Sequence, residues 1–184
     1  MSTNIDKKSH NDSGLCKIIY SFQPIIPKFL LLAWGILCSI QYICSENVFD
    51  MKKNQNQYAQ ANKDWLVAKS QEDGVMALPK GIFYKVLAEG DATSAKPTPS
   101  NVITAHYTGW TIDGKQFDSS RGDAPLACRL RDLIEGWIIA MQQMHIGDRW
   151  EVYIPAEMGY GKFSQPGIPG GSTLIFDIEL LSIN

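Results

Sequence analysis

The residues of this chain that could do chemistry are aromatic side chains and turn residues grouped with one carboxylate, not a nucleophile beside its base. The sequence contains no motif typical of a serine hydrolase, a phosphate-binding loop, a zinc protease or a dinucleotide fold. Its three histidines are scattered. His106 lies in a predicted strand, where a packed ring is the ordinary role, and His145 follows a predicted helix, where a cation favours the helix dipole. We therefore assign neither histidine a catalytic role.

Short motifs in the second half of the chain contain these aromatic, acidic and turn residues. They read AHYTG at 105–109, DGKQFDSS at 113–120, LIEGW at 133–137, EMGYG at 157–161 and QPGIPGGSTLIFDIEL at 165–180. Taken singly, aromatic residues on strands or helices are ordinary core residues. Asp118 is different, because packing does not select a carboxylate between Phe117 and Ser119 beside an apolar wall. Jointly, the motifs indicate an apolar pocket with one acid.

The elements that must position these motifs are short strands and one helix. Alternating or β-branched residues predict the strands, Asp113-Gly114 predicts a tight hairpin turn, and a helical period of apolar residues predicts the helix. The predicted strands are Ile82–Glu89, Val102–Ile112, Gln116–Ser119, a short one after Pro125, Arg149–Ile154 and Ser172–Ile183, and the helix is Leu133–Met144. An antiparallel sheet packed on a single helix, an α+β fold, is the expected result.

In their order and spacing the motifs resemble those of the FKBP-type peptidyl-prolyl cis-trans isomerases, from about Gly81 to the C-terminus. GIFYKVLAEG at 81–90 is similar to the lead-in of bacterial members that carry an N-terminal helical extension. The resemblance implies an antiparallel sheet wrapped around one short helix, with a hydrophobic pocket between them. It implies the catalytic residues Phe117, Asp118, Trp137 and Tyr160, and the substrate-binding residues Tyr107, Leu126, Leu133, Ile134, Ile168 and Phe176.

These residue types suit the isomerisation of an X–Pro amide. Rotation breaks amide resonance, with a barrier of about 20 kcal/mol. The twisted amide has less charge separation, so an apolar cavity tolerates it better than the planar ground state. Trp137 could form a flat floor, the Tyr160 hydroxyl and the Ile134 N–H could donate to the carbonyl, and Asp118 could orient neighbouring hydroxyls or interact with the twisted amide. The alternative is a module that binds or chaperones proline-containing segments without turnover.

The resemblance also implies partners. These are proline-containing polypeptides and macrolide inhibitors such as tacrolimus and rapamycin, and no metal or organic cofactor is implied. The chain departs from the family pattern at Leu126, Gln165, Gly159 and Gly170-Gly171. We expect the added glycines to make the loop over the pocket more flexible and to weaken macrolide binding.

Composition narrows the class of protein. Hydrophobic residues make up 45% and charged residues 20% of the chain, which is typical of a globular protein. A net charge of -2 leaves no basic field for a polyanion, which argues against nucleic-acid binding. Of the four cysteines only Cys128 falls after residue 80, so a disulfide within that region is excluded and a zinc site is not expected.

The N-terminal residues divide into a polar tail at 1–28 and an uncharged apolar run at 29–44. A cleaved signal peptide, a lipoprotein signal and an uncleaved membrane anchor compete for the run, and the anchor fits best because lysines precede it and Glu46 and Asp50 follow. We expect a protein of the cell envelope, membrane-anchored or periplasmic. Translation starting at Met51 would instead give a cytoplasmic protein.

Residues 45–80 are predicted to be a helical spacer before an isomerase domain at 81–184. Tyr58, Ala61, Trp65, Leu66 and Ala68 have the spacing of an amphipathic helix. The helix could pack on its own domain, serve as a spacer, or pair two chains into a homodimer.

Overall fold

The computed structural model describes residues 51–184, so the predicted tail at 1–28 and the apolar run at 29–44 lie outside the described residues. The helices are α1 at 51–69 and α2 at Glu135–Met141. The strands are β1 Val75–Leu78, β2 Ile82–Ala88, β3 Val102–Thr111, β4 Gln116–Ser119, β5 Leu126–Arg129, β6 Arg149–Ile154 and β7 Leu174–Ile183. None of the helices in this part of the chain is long and apolar enough to cross a membrane.

All strands pair antiparallel in a seven-stranded sheet of order β1-β2-β6-β7-β3-β4, with β5 also paired to β3. The buried core contains residues of the sheet together with one face of α2, namely Trp137, Ala140 and Met141. This arrangement confirms the predicted α+β fold. The neighbouring strands β3 and β7 are the two longest, and each contributes an aromatic residue to the site described below.

Helix α2 is shorter than the predicted span of Leu133–Met144. Leu133 and Ile134 have extended backbone angles, so they precede the helix, and the first residue with helical angles is Glu135. The apolar period includes these residues because they pack on the core from outside the helix. Periodicity reports burial, and it therefore overestimated the length of the element.

Strand β1 was not predicted. It pairs with β2 through the register Val75–Lys85 to Leu78–Ile82, around a turn in which Lys80 and Gly81 both have positive φ angles. The boundary between spacer and isomerase domain, placed at residue 81, stays a prediction. The pairing means that the first strand of the sheet lies on the N-terminal side of that boundary.

Helix α1 packs on its own domain. Leu66 is buried, and the Trp65 ring meets the ring of Tyr153 edge to face at 5.9 Å between centroids. Ala61 and Ala68, which the predicted stripe included, are exposed. Among the roles left open by the sequence, packing on the domain is therefore the one observed, and pairing of two chains stays a prediction.

Candidate active site

Aromatic rings from different elements meet at one place. Tyr107 comes from β3, Phe117 from β4, Trp137 from α2 and Phe176 from β7. Trp137 lies at 5.2 Å from Tyr107 and at 5.3 Å from Phe176, and Phe117 lies at 5.5 Å from Phe176, measured between ring centroids. The interplanar angles of these pairs are 85°, 87° and 86°, the edge-to-face geometry that aromatic quadrupoles favour.

Gly109 makes room for two of these rings. It pairs with Phe176 of β7 on one side and with Asp118 of β4 on the other. A Cβ atom at this position would lie 2.6 Å from the Phe117 ring and 2.8 Å from the Phe176 ring. In the sequence, Gly109 stood out only as the last residue of the AHYTG motif. Its signal was available, because a glycine inside a strand often marks close approach of another group.

The single carboxylate of the site is held by two hydrogen bonds. The Tyr107 hydroxyl donates to Oδ2 of Asp118 at 2.5 Å, and the Ser119 N–H donates to Oδ1 at 2.9 Å. Burial, and then the hydrogen bond and charge of Asp118, raise the pKa of Tyr107 well above its usual value. Tyr107 therefore remains a neutral donor at physiological pH, and one oxygen of the exposed carboxylate is committed to it.

The floor of the site is formed at the start of α2. Trp137 is 3% exposed, and its backbone N–H donates to the backbone carbonyl of Ile134. A Cβ atom on Gly136 would lie 2.4 Å from the Ile154 side chain, so this glycine lets α2 approach β6 closely. Within residues 51–184 the N–H of Ile134 makes no hydrogen bond, and it is therefore available as a donor.

The loop between Gly159 and Gly171, named here the pocket loop, lies beside the aromatic rings. Tyr160 is 37% exposed and its charge interaction with Tyr107 contributes to the raised pKa of Tyr107, after burial and Asp118. Ile168 is buried in the core, and a Cβ atom on Gly167 would lie 3.5 Å from Cβ of Phe117. The loop therefore adjoins the Phe117 side of the site.

The glycine pair at the end of the pocket loop is required by close packing. A Cβ atom on Gly170 would lie 2.2 Å from the Lys162 carbonyl oxygen. Gly171 has a φ of +85°, and a Cβ atom there would lie 2.8 Å from Cβ of Ala59 in α1. The N–H of Gly171 also donates to the Gly161 carbonyl at 2.8 Å. These contacts give the glycines a role other than the added flexibility that the sequence suggested.

The remaining predicted pocket residues surround the same core. Leu126 on β5, Leu133 and Ile134 are partly buried and pack against the core cluster that contains Trp137, Ile168 and Phe176. In the described part of the chain no group of three or more histidine, cysteine, aspartate or glutamate side chains could hold a metal ion. What the arrangement offers is an apolar aromatic surface with hydroxyl, amide and carboxylate groups at its edge, suited to non-covalent binding of a compact apolar group.

Comparison with known proteins places this chain in a family. A family model described as FKBP-type peptidyl-prolyl cis-trans isomerase matches residues 93–181. Outer membrane protein MIP of Legionella longbeachae is 40% identical over 134 residues, which cover 70% of this chain and 57% of MIP. The macrophage infectivity potentiator of Trypanosoma cruzi is 33% identical over 176 residues, 95% of this chain and 86% of that protein.

A solved structure agrees with these relatives. The crystal structure of a peptidyl-prolyl cis-trans isomerase from Pseudomonas syringae pv. tomato matches with a TM-score of 0.65 and 31% identity, over 70% of this chain and 95% of that chain. The chain belongs to the FKBP-type peptidyl-prolyl cis-trans isomerase family, as its motifs predicted. The chain spans about half the length of MIP and of the FkpA proteins of Aeromonas hydrophila and Escherichia coli.

Proposed function

We propose that this chain accelerates the cis–trans isomerisation of X–Pro bonds in polypeptides during protein folding. The observation that carries the proposal is the aromatic cluster of Tyr107, Phe117, Trp137 and Phe176 with the Asp118 carboxylate bonded at its edge. Such a cluster offers a proline ring an apolar seat. The family and the buried floor at Trp137 support the proposal.

The chemistry follows from differential binding. The pyrrolidine ring rests on Trp137, and the planar amide loses more hydration on entering the apolar site than the twisted amide does. The free N–H of Ile134 donates to the substrate carbonyl, and the hydroxyl of Tyr160, which makes no hydrogen bond with residues 51–184, supplies a second donor. Each tenfold acceleration requires about 1.4 kcal/mol, so a few such contacts account for several decades.

Asp118 acts at the edge of the site. One of its oxygens receives the Tyr107 hydroxyl and the other receives the Ser119 N–H, so the carboxylate fixes the orientation of the Tyr107 ring. Its negative charge faces the amide as the nitrogen loses resonance and becomes pyramidal. Leu126, Leu133, Ile168 and Phe176 complete the apolar surface that binds residues next to the proline.

A protease-coupled assay of the full chain with Leu–Pro and Phe–Pro peptides tests this function. We expect acceleration by the unmodified chain and at least about a tenfold loss of kcat/KM in Asp118→Asn, which keeps the shape and removes the charge. The matched control is Asp123→Asn, an exposed acid five residues further on. A folded sample whose rate equals that of buffer would favour the alternative, a module that binds or chaperones proline-containing segments.

Macrolide binding is a second part of the proposal. Tacrolimus or rapamycin would occupy the site with its pipecolyl ring over Trp137 and compete with the peptide. Quenching of Trp137 fluorescence, with Trp137→Phe as the reference, measures the affinity. No binding at saturating drug, in a sample that still isomerises peptides, would refute this part.

The proposed location is the cell envelope. One relative is named an outer membrane protein, and the apolar run at 29–44 has the charge pattern of an anchor whose following domain faces away from the cytoplasm. Fractionation and mass spectrometry of the native N-terminus test this. An N-terminus near Ser45 would indicate a cleaved leader, and one at Met51 in the soluble cytoplasmic fraction would refute the proposal.

Pairing of two chains through α1 is also a proposal. Tyr58, Trp65 and Leu66 already contact their own domain, so pairing through this face requires their release. Light scattering of the full chain gives the mass, and a monomer at all concentrations would exclude the homodimer.

A further inference from the structure

Side chains of helix α1 hold the end of the pocket loop. The Asn62 Oδ1 atom accepts the Thr173 N–H at 2.7 Å, and the Asn62 carbonyl accepts the Thr173 hydroxyl at 3.2 Å. One helical turn earlier, the hydroxyl of Tyr58 lies 2.9 Å from Oγ of Ser172. Residues more than a hundred positions apart in the chain are thus joined where the loop enters β7.

Both polar groups of the Asn62 side chain are hydrogen-bonded. Its Nδ2 group donates to the Tyr58 carbonyl at 2.9 Å, and the residue is only 1% exposed. Asparagine is a poor residue for a helix interior, because its side chain competes for backbone hydrogen bonds. Burial of a polar amide is tolerated here because its groups are paired, and removing it would leave the buried Thr173 N–H without a partner.

A short path connects this anchor with the pocket. The Ser172 hydroxyl donates to the carbonyl of Pro169 at 2.6 Å, and Pro169 directly follows the buried pocket residue Ile168. On the other side, Thr173 directly precedes β7, which carries Phe176.

Helix α1 also packs against the end of the pocket loop and forms an ion pair just before its start. Ala59 packs against Gly171, where any side chain would collide with it. Lys63 forms an ion pair with Glu157 at 3.3 Å, just before the loop that carries Tyr160. Both partners of that pair are well exposed, so it contributes little, and the buried contacts of Asn62 and Tyr58 dominate.

We propose that Asn62 is a positioning residue of the isomerase site, which acts with Tyr58 to fix the pocket loop in the position that binds substrate. The inference rests on the proposed function, and it assigns a part in the site to α1, which contributes none of the four aromatic rings. When the anchor is removed, the loop populates other positions, and substrate binding must supply the cost of reordering it. Once binding has reordered the loop, its Tyr160 stands where it does in the unmodified chain. Trp137, Phe117 and Asp118 keep their own contacts throughout, so the chemistry on the bound amide is unchanged. KM therefore rises while kcat does not.

The experiment compares Asn62→Ala and Tyr58→Phe with the unmodified full chain. Tyr58→Phe is the milder change, because the ring stays and only the bond to Ser172 is lost, so it remains informative if Asn62→Ala folds poorly. Gln60→Ala is the control on the exposed face of the same helix. Ile103→Val, at a fully buried position of β3, is the control for lost stability without loss of the anchor.

Two readouts are measured, and one does not depend on activity. In the peptide assay we expect KM to rise about three- to tenfold in Asn62→Ala with kcat within about twofold, the size set by the loss of a single hydrogen-bonded anchor. Hydrogen exchange of the Gly170, Gly171 and Thr173 amides should be faster in both α1 variants and unchanged in Gln60→Ala. Ile103→Val should leave KM unchanged.

The outcomes separate this inference from the proposed function. If the unmodified chain does not isomerise peptides, the proposed function fails, and the exchange rates alone decide whether α1 fixes the loop. If the chain is active and both α1 variants keep its KM and its loop exchange rates, the inference is overturned. If KM rises equally in Ile103→Val, the effect comes from lost stability and the positioning role is likewise refuted.

Discussion

Replacing Gly109 by alanine adds one methyl group at the point where two pocket rings approach the backbone. The new carbon atom would lie 2.6 Å from Cε2 and Cζ of Phe117 and 2.8 Å from Cε1 of Phe176. Carbon atoms in contact prefer about 3.5–4.0 Å, so the rings must withdraw by roughly 1 Å. Gly109 is not among the glycines with a positive φ angle in the described residues, so alanine at this position adds no backbone strain.

The size of the effect follows from this overlap. Overpacking of a core costs about 1–3 kcal/mol, and alanine regains about 0.4–1 kcal/mol by restricting the unfolded chain. We therefore expect the free energy of unfolding to fall by about 1–2 kcal/mol and Tm by roughly 2–8 °C. A displacement of 1 Å in a binding site costs up to about a hundredfold in rate, so kcat/KM should fall at least about tenfold.

Gly114→Ala is the matched control. Gly114 lies in the hairpin turn after β3 with a φ of +77° and no atom near an added Cβ. Alanine there loses about 1–2 kcal/mol through its backbone conformation alone, without reaching the pocket. Thermal unfolding and the peptide assay are run on both variants. Equal losses of kcat/KM in the two would refute the steric reasoning, as would an unchanged kcat/KM in Gly109→Ala.

Two further predictions concern pH. Because burial and then the bond to Asp118 raise the pKa of Tyr107, its hydroxyl stays protonated beyond the ordinary value of about 10, and the pH–rate profile should show no loss attributable to Tyr107 between pH 7 and 10. Burial alone would raise the pKa of Asp177, but the hydrogen bonds and charges of Arg149 and Arg121 hold it below its ordinary value. Its stabilisation is therefore present above about pH 4 and lost as pH falls through the lowered pKa. Asp177→Asn should reduce the free energy of unfolding by about 1–3 kcal/mol at pH 7, and by progressively less in denaturation curves below about pH 4, whereas a constant difference would contradict this.

Much of the fold could be predicted because its signals are local. The Asp113-Gly114 pair occurs at a turn between β3 and β4, and the apolar alternation of 174–180 occurs in β7. Strand β1 was missed because Val75–Leu78 is short and mostly exposed, and its partner in β2 is what makes it a strand. Its four apolar residues alone were too few to distinguish it from a loop.

The candidate site was predictable to the extent that residue type reveals role. Trp137 was predicted to be a floor and is buried at the start of α2. Asp118 was predicted either to orient hydroxyls or to interact with the twisted amide, and it accepts the Tyr107 hydroxyl. The apolar period included Ile134 in the helix, whereas it directly precedes the first helical residue, and its N–H belongs to the unpaired donors at a helix start with either boundary. The catalytic roles of these residues stay predictions until the variants are measured.

Asn62 shows why the rest could not be derived from the sequence. A periodic pattern identifies which face of a helix is apolar, and Asn62, four residues after Tyr58 and four before Leu66, is a polar residue on that face whose partner the pattern does not identify. Its value comes from Thr173, which directly precedes β7 and whose N–H has no backbone partner within residues 51–184, and that need is visible only when the two residues are brought together. Long-range pairing of one buried amide with one backbone group leaves no periodic trace. The apolar residues of helix α1 left three roles open, namely packing on its own domain, a spacer and a pairing surface, while the contact that links it to the pocket is made by its polar side chains Asn62 and Tyr58.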